Sequence, residues 1–118
     1  MRTTQPPLFS PETEWVMPDE LKDLTHYTEI AVDLETYDPN LTVSGSGSVV
    51  GNGHIAGVAL AVEGWSGYFP IGHENGGNMD TTLVFSWLRD LFKDENKTFI
   101  FHNAMYDVCW LRREGLTI

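Results

Sequence analysis

The sequence predicts an α/β fold, a mixed sheet flanked by helices. Four short apolar segments, rich in β-branched or aromatic residues, are typical of strands. Two longer segments repeat apolar residues at the spacing of an amphipathic helix. Their order, β-β-β-α-β-α, combines consecutive strands with a helix that crosses over to a fourth strand, which we expect to lie parallel to the first. At 118 residues, the chain is long enough for one small domain.

The first three strands are predicted at residues 29–34, 55–62 and 68–71. The five residues between the second and third strands contain two glycines, which is typical of an antiparallel hairpin. After the first strand, Asp38-Pro39-Asn40 indicates a turn, and residues 44–53, with four glycines and three serines, predict a flexible loop. This loop leads into a strand and lacks a Gly-Lys-Ser/Thr ending, which argues against a phosphate-binding P-loop.

The second half of the sequence predicts a helix, a strand and a helix. Asp80 is a favourable N-cap for the first helix. Its apolar residues recur every three or four positions: Leu83, Val84, Trp87, Leu88, Leu91 and Phe92. The fourth strand is predicted at residues 98–101. Asn103 is then expected to cap a second helix that continues to about Arg113, with Gly115 at the position where glycine often terminates a helix.

The composition restricts the possible functions. The net charge is −10 with seven Lys and Arg residues, so the basic face typical of nucleic-acid-binding proteins is not expected. Three classes remain: an acidic small-molecule or protein binder, an acidic DNA mimic, and a nuclease that contacts DNA through divalent metals. No apolar run approaches the roughly 20 residues of a membrane span, and residues 1–11 do not resemble a secretory signal, so we expect a cytoplasmic protein.

The N-terminal residues differ in composition from the rest of the chain. Residues 1–27 hold four of the six prolines and are predicted to form an extended arm, with a short helix near residues 18–24. The domain itself is expected to begin at residue 28. The lone Cys109 excludes an internal disulfide, and no Cys/His spacing suggests zinc.

Three acidic residues are candidates for one site. Asp33 and Glu35 are two residues apart at the end of the first strand, so they face the same side. Asn103 and Asp107 are four apart and share one helix face. If the first and fourth strands are neighbours, Asp107 completes a cluster with Asp33 and Glu35. The alternatives are that the strand-end acids merely meet solvent, and that Asn103 and Asp107 serve as cap and helix-dipole partner.

A carboxylate cluster of this kind is suited to hard divalent cations. Mg²⁺ and Mn²⁺ take oxygen ligands, and Mg²⁺ combines few protein carboxylates with water and substrate phosphate oxygens. Two such ions can activate a water and stabilise the leaving oxygen of a phosphodiester. Bound metals also explain how an acidic protein can hold DNA, because each ion offsets two negative charges where the phosphate lies.

With these residues in view, the sequence resembles the 3′→5′ proofreading exonuclease domain of family A, polymerase I-like DNA polymerases, above all those of bacteriophages. Residues 31–40, AVDLETYDPN, are similar to the first exonuclease motif, with Asp33 and Glu35 as its metal-binding acids. Residues 101–111, FHNAMYDVCWL, are similar to the second motif, in which an Asn precedes a Tyr or Phe and then the acid Asp107. The resemblance implies a ribonuclease H-like fold, with Asp33, Glu35 and Asp107 as catalytic ligands of two Mg²⁺ or Mn²⁺ ions.

The resemblance also implies a substrate, the single-stranded 3′ end of DNA, from which nucleoside monophosphates are released. The residues implied to contact it are Leu34, Thr36, Tyr37 and Asn103. A phage-encoded enzyme of this family would act in the host cytoplasm, without a membrane partner.

One departure from the family concerns the third motif, Tyr-x-x-x-Asp or His-x-x-x-Asp, since no segment after Asp107 fits it. The resemblance therefore implies a C-terminally truncated, partial exonuclease domain over residues 28–118. It further implies that a polymerase domain or another chain carries the missing motif, and that these 118 residues have little activity alone. Two alternatives remain: a non-catalytic acidic binding protein or DNA mimic, and an exonuclease that acts on RNA and belongs to the DEDD superfamily, which includes the proofreading domains that this sequence resembles.

Overall fold

Eight helices and strands follow residue 28 in the computed structural model, which describes residues 17, 18 and 20–118. In chain order they are β1 (Glu29–Tyr37), α1 (Leu41–Ser44), α2 (Gly47–Val50), β2 (His54–Val62), β3 (Trp65–Pro70), α3 (Thr81–Phe92), β4 (Thr98–Phe101) and α4 (Ala104–Arg113). All four predicted strands and both predicted helices are present. The first strand is longer than predicted and reaches Tyr37.

The four strands form one sheet in the order β3-β2-β1-β4. The antiparallel pairs β1–β2 and β2–β3 make a three-stranded unit, and β4 pairs in parallel with β1. The parallel pairing follows from the crossover through α3, which returns the chain to the far edge of β1. The predicted mixed sheet with flanking helices is confirmed.

The hydrophobic core lies on one face of the sheet. Along β1, buried Ile30 and Val32 alternate with more exposed residues, as a strand with one covered face requires. Helix α3 contributes buried Val84 and Leu88 to this core, and Trp110 of α4 is fully buried in it. The opposite face of β1 carries the predicted acids Asp33 and Glu35, so the sheet separates these acids from most of the core.

The predicted start of α3 and the predicted end of α4 are both present. The Asp80 carboxylate accepts hydrogen bonds from the backbone N–H groups of Thr82 and Leu83, which caps α3. At the end of α4, Gly115 has φ 82°, and the N–H of Leu116 donates to the carbonyl of Leu111 at 2.9 Å. This is a Schellman motif, and it returns buried Leu116 to the core.

The predicted turn after β1 is present, and the Leu41 N–H donates to the Asp38 carbonyl across it at 3.3 Å. The predicted flexible loop is wrong in part, because the short helices α1 and α2 form between β1 and β2. The Asp38 carboxylate accepts hydrogen bonds from the Gly47 N–H at 3.0 and 3.1 Å, and Ser46 caps α2. Arg113 of α4 donates to the carbonyls of Gly47 and Asn52. Contacts with residues distant in sequence therefore order a segment whose composition indicates flexibility.

The predicted N-terminal arm is described only in part, since residues 1–16 and 19 lie outside the described residues. The predicted short helix is wrong for residues 20–24, which are not helical. Leu24 is buried in the core, and Lys97 Nζ donates to the carbonyls of Thr25 and Tyr27. The last residues of the arm are thus packed against the sheet domain. No helix in the described part of the chain has the length and apolar composition that crossing a membrane requires.

Candidate functional site

Asp33 and Asp107 lie near each other because β1 and β4 are parallel neighbours. Val32, in the middle of β1, is in register with Phe101, the last residue of β4, so the end of β4 lies beside the middle of β1. Asp33 follows Val32 directly, and Asp107 lies in the first turn of the helix that follows β4. The negative charge of Asp33 contributes to raising the pKa of Asp107, which places the two carboxylates within electrostatic range.

Asp107 is the most unusual of the predicted acids. Its side chain is buried, and its Oδ2 atom has no hydrogen-bond partner. Burial raises the pKa of Asp107 to about 6, with a further increase from Asp33 and an opposing effect of His102. A buried carboxylate without partners is unfavourable unless a proton or a cation compensates its charge. The Asp33–Asp107 pair, rich in oxygen donors, therefore fits a hard divalent cation.

Glu35 shares the open face of β1 with Asp33, but its carboxylate is held by another strand. The Tyr68 hydroxyl, on β3, donates to Glu35 Oε1 at 2.8 Å, and the same hydroxyl lies 2.5 Å from His73 Nε2. Burial raises the pKa of Tyr68 well above its usual value, with a further increase from its hydrogen bond to Glu35. His73 Nε2 also lies 3.8 Å from Glu35 Oε1.

The structure thus brings two of the three predicted acids together and places the third in a separate contact. Among the residues that the structure describes, no group of three or more His, Cys, Asp or Glu side chains is arranged as a metal site. The predicted assignment of Asp33, Glu35 and Asp107 as catalytic ligands remains a prediction.

The four predicted substrate contacts have different surroundings. Leu34 packs against the core, and the Thr36 hydroxyl lies 2.9 Å from that of Tyr106. Tyr37 is 46% exposed, and Asn103 is exposed at the N-cap of α4 without a capping hydrogen bond from its side chain. Tyr37 and Asn103 are therefore accessible to a ligand, whereas Leu34 contributes to packing. Asn103 begins the helix as predicted, but its side chain does not cap it.

A hydrogen-bonded chain that the sequence did not reveal connects this region to α2. Tyr106 donates to Asp38 Oδ2 at 2.7 Å, so the Thr36 hydroxyl donates to Tyr106 in turn. Burial is the main cause that raises the pKa of Tyr106. Asp38 also binds the Gly47 N–H, so the end of β1 is tied to the starts of α2 and α4. Tyr106 has one sequence signal, its place directly before Asp107.

Tyr68 and His73 are the other residues that sequence reasoning missed. Tyr68 has the signature of an ordinary strand residue and His73 that of a loop residue. Their contact with Glu35 depends on how β3 packs beside β2, and no local spacing encodes that contact.

A comparison with known proteins finds one phage DNA polymerase that is similar to this chain. Over 121 aligned residues, the chain is 36% identical to the "DNA-directed DNA polymerase" of Pseudomonas phage M6, covering 98% of this chain and 18% of that protein. The chain is similar to part of a phage DNA polymerase. It spans about a fifth of that polymerase's length, and no protein-family model matches it. The predicted relationship to phage DNA polymerases is confirmed at this level, and the exonuclease assignment stays a prediction.

Proposed function

We propose that this chain is part of a metal-dependent 3′→5′ exonuclease that removes nucleotides from the single-stranded 3′ end of DNA beside a DNA polymerase. The observation that carries the proposal is the buried, unpartnered Oδ2 of Asp107 next to Asp33. Similarity to a phage DNA polymerase supports a DNA substrate. The parallel pairing of β1 and β4 supports the proposal too, since it places the end of β4, and the helix that follows it, beside the part of β1 that carries Asp33.

In this proposal, Asp33 and Asp107 hold Mg²⁺ or Mn²⁺, and Glu35 supplies a further oxygen. The bound ions provide activation of a water and stabilisation of the leaving oxygen of the phosphodiester. A cation at the Asp33–Asp107 pair would favour the ionised form of Asp107, because its positive charge would offset both the cost of burying that carboxylate and the repulsion from Asp33. Exposed Asn103 and Tyr37 contact the terminal nucleotide.

The low number of cationic side chains is consistent with this arrangement. With seven Lys and Arg residues and a net charge of −10, the protein has few groups of its own to bind phosphates. Metal ions at the acid pair would provide the local positive charge that the phosphodiester requires. Binding of DNA is therefore expected to depend on divalent metal more than on general electrostatic attraction.

The test is a chimera in which this chain replaces the aligned segment of the Pseudomonas phage M6 DNA polymerase. We expect the chimera to release nucleoside monophosphates from a 5′-labelled primer with a mismatched 3′ end, in the presence of Mg²⁺. Asp33→Ala and Asp107→Ala should each reduce this rate by on the order of 100-fold or more, since each removes charge stabilisation at the reacting phosphate. Asp90→Ala, which removes an exposed acid of α3, is the matched control.

Three results would contradict the proposal. One is a chimera that extends primers but does not shorten them. Another is an equal loss of the rate of nucleotide release in the Asp90→Ala and Asp33→Ala chimeras. Preference for a ribose over a deoxyribose 3′ end would favour an exonuclease acting on RNA. A DNA mimic would instead retain its binding partners after Asp33→Ala, because its function depends on distributed charge.

A further inference from the structure

We propose that Tyr68 and His73 are positioning residues that fix the carboxylate of Glu35 for cation binding. The inference rests on the proposed metal site at Asp33 and Asp107 and adds two residues to it. Neither residue belongs to the segments that resemble exonuclease motifs. Three features of the structure support this role: two directed hydrogen bonds, an open space over β2 at Gly57, and a loop whose backbone is held by hydrogen bonds.

The direction of the hydrogen bonds follows from proton count. A tyrosine hydroxyl has one proton, and in this structure it is donated to Glu35 Oε1 at 2.8 Å. The contact between Tyr68 and His73 Nε2 therefore uses the tyrosine oxygen as acceptor, and His73 carries a proton on Nε2. The result is a chain of two directed hydrogen bonds from the loop after β3 to the carboxylate on β1.

The path of Tyr68 across the sheet requires a glycine. Tyr68 belongs to β3, and it must pass over β2 to reach Glu35 on β1. The β2 residue in register with Glu35 is Gly57, and a Cβ atom there would overlap the phenol ring and hydroxyl of Tyr68. Gly57 does not have a positive φ, so its role is to leave space. The sheet is thus open at the point where the tyrosine crosses it.

The backbone of His73 is held on both sides. Its N–H donates to Asn78 Oδ1 at 2.8 Å, and its carbonyl accepts from Asn78 Nδ2 at 2.9 Å. The N–H of Met79 donates to the carbonyl of Pro70 at 2.7 Å, which closes the loop. The imidazole is therefore presented to Tyr68 from a fixed backbone.

This arrangement leaves Glu35 ready to bind a cation. The Glu35 side chain is 63% exposed, and the hydrogen bond from Tyr68 occupies Oε1, so Oε2 can coordinate a metal. An exposed glutamate otherwise samples several rotamers, and a cation must then order it. Ligating carboxylates are commonly oriented by such outer hydrogen bonds, whose removal weakens metal affinity by about 10- to 100-fold.

The experiment is a titration of the 118-residue protein with Mn²⁺, followed by electron paramagnetic resonance of the free ion. Tyr68→Phe keeps the ring over Gly57 and removes only the hydroxyl. We expect it to increase the Mn²⁺ dissociation constant by about 10-fold or more. Tyr27→Phe, which removes a hydroxyl elsewhere against the core, is the matched control and should leave the constant unchanged.

A double-mutant cycle separates positioning from a general structural effect. In a Glu35→Ala background, Tyr68→Phe should have no further effect on Mn²⁺ affinity, because the hydroxyl then has no carboxylate to hold. The ¹³C shift of the Glu35 carboxyl should also change in metal-free Tyr68→Phe. An equal effect of Tyr68→Phe with and without Glu35 would overturn the inference, even if the variant is less stable.

The outcomes distinguish this inference from the proposed function. If Mn²⁺ binding is weakened by Asp33→Ala and unaffected by Tyr68→Phe, the positioning role is wrong and the metal site stands. If the wild-type protein shows no Mn²⁺ binding that depends on Asp33, the proposed function is contradicted and the positioning role is contradicted with it.

Discussion

At the scale of single residues, the unfavourable environment of the Asp107 carboxylate is the main feature of the candidate site. Its buried Oδ2 lacks a hydrogen-bond partner, and the neighbouring charge of Asp33 makes ionisation less favourable still. A carboxylate of this kind lowers the stability of the folded protein at neutral pH, and natural proteins keep such groups mainly where function requires them. A packing residue at the same position would be apolar.

The first prediction concerns stability and pH. The pKa of Asp107 is about 6 in the folded protein and near 3.8 when unfolded, so the folded state binds the proton more tightly. The stability that this proton provides is complete below about pH 4 and is lost as pH rises through 6. Without metal, Asp107→Asn should therefore raise the free energy of unfolding at pH 8 by about 1–3 kcal/mol. Urea denaturation in EDTA between pH 4 and pH 8 measures it.

The difference between Asp107→Asn and wild type should vanish near pH 4, where both side chains are neutral. A variant that is less stable than wild type across the whole range would show that Asp107 makes a favourable contact in its charged form. That result would also remove the main reason for placing a cation beside it.

At the scale of elements, periodic patterns of apolar residues predicted the strands and helices that depend mainly on local sequence. The core-facing residues of β1 alternate with exposed ones, and those of α3 recur every three or four positions. These periods are the periods of a strand and of a helix, so both elements could be predicted from them. Helix α2 escaped prediction because its first residue, Gly47, is bound by Arg113 and by Asp38, which Tyr106 holds in turn, and Arg113 and Tyr106 are distant in sequence. The same limit explains why Tyr68 was not recognised as a partner of Glu35.

The candidate site also combines features that local sequence predicts with features that depend on distant contacts. Asp33 and Asp107 were predictable as neighbours, because a crossover makes β1 and β4 parallel, which places the end of β4 and the start of α4 beside the part of β1 that carries Asp33. The bonding of Glu35 was not predictable, because it depends on side chains from β3 and the following loop. Spacing of two along a strand indicates a shared face and does not indicate which group each carboxylate contacts.

The second prediction concerns the link between the N-terminal residues and β4. The Lys97 side chain is 3% exposed, and its Nζ donates to the carbonyls of Thr25 and Tyr27. Lys97→Met should lower the free energy of unfolding by about 1–3 kcal/mol, since it leaves these carbonyls without their donor. Lys93→Met, at an exposed position, is the control. Urea denaturation measures the loss, and equal stability of the two variants would contradict it.

At the scale of the whole molecule, the net negative charge and the uncovered face of the sheet together determine how cations meet the candidate site. The helices cover one face of the sheet, and the other face has a broad cleft that Asp33 lines with Ala31, Ala59 and Ile100. The acids of β1 therefore open toward solvent on a protein of net charge −10. Such a protein concentrates cations around itself, and specific binding must be separated from this general attraction.

The third prediction distinguishes specific cation binding from general electrostatic attraction. Mn²⁺ at about 100 times its dissociation constant should stabilise the wild-type protein by about 2.7 kcal/mol, which corresponds to a rise of several degrees in Tm. Asp33→Asn and Asp107→Asn should lose most of this gain, while Asp90→Asn should keep it. Sodium chloride at matched ionic strength controls for screening. Equal stabilisation of all four proteins by Mn²⁺ would indicate general attraction alone.

The parallel pairing of β1 and β4 has a consequence for synthesis on the ribosome. The β1–β2–β3 unit can form as soon as its residues emerge, because its turns are local, whereas one edge of β1 must wait for residues 98–101. Asp33 is thus present on this unit before Asp107 has been translated. Under the proposed function, a cation held by both acids would therefore bind only after the first turn of α4, which carries Asp107, has been translated.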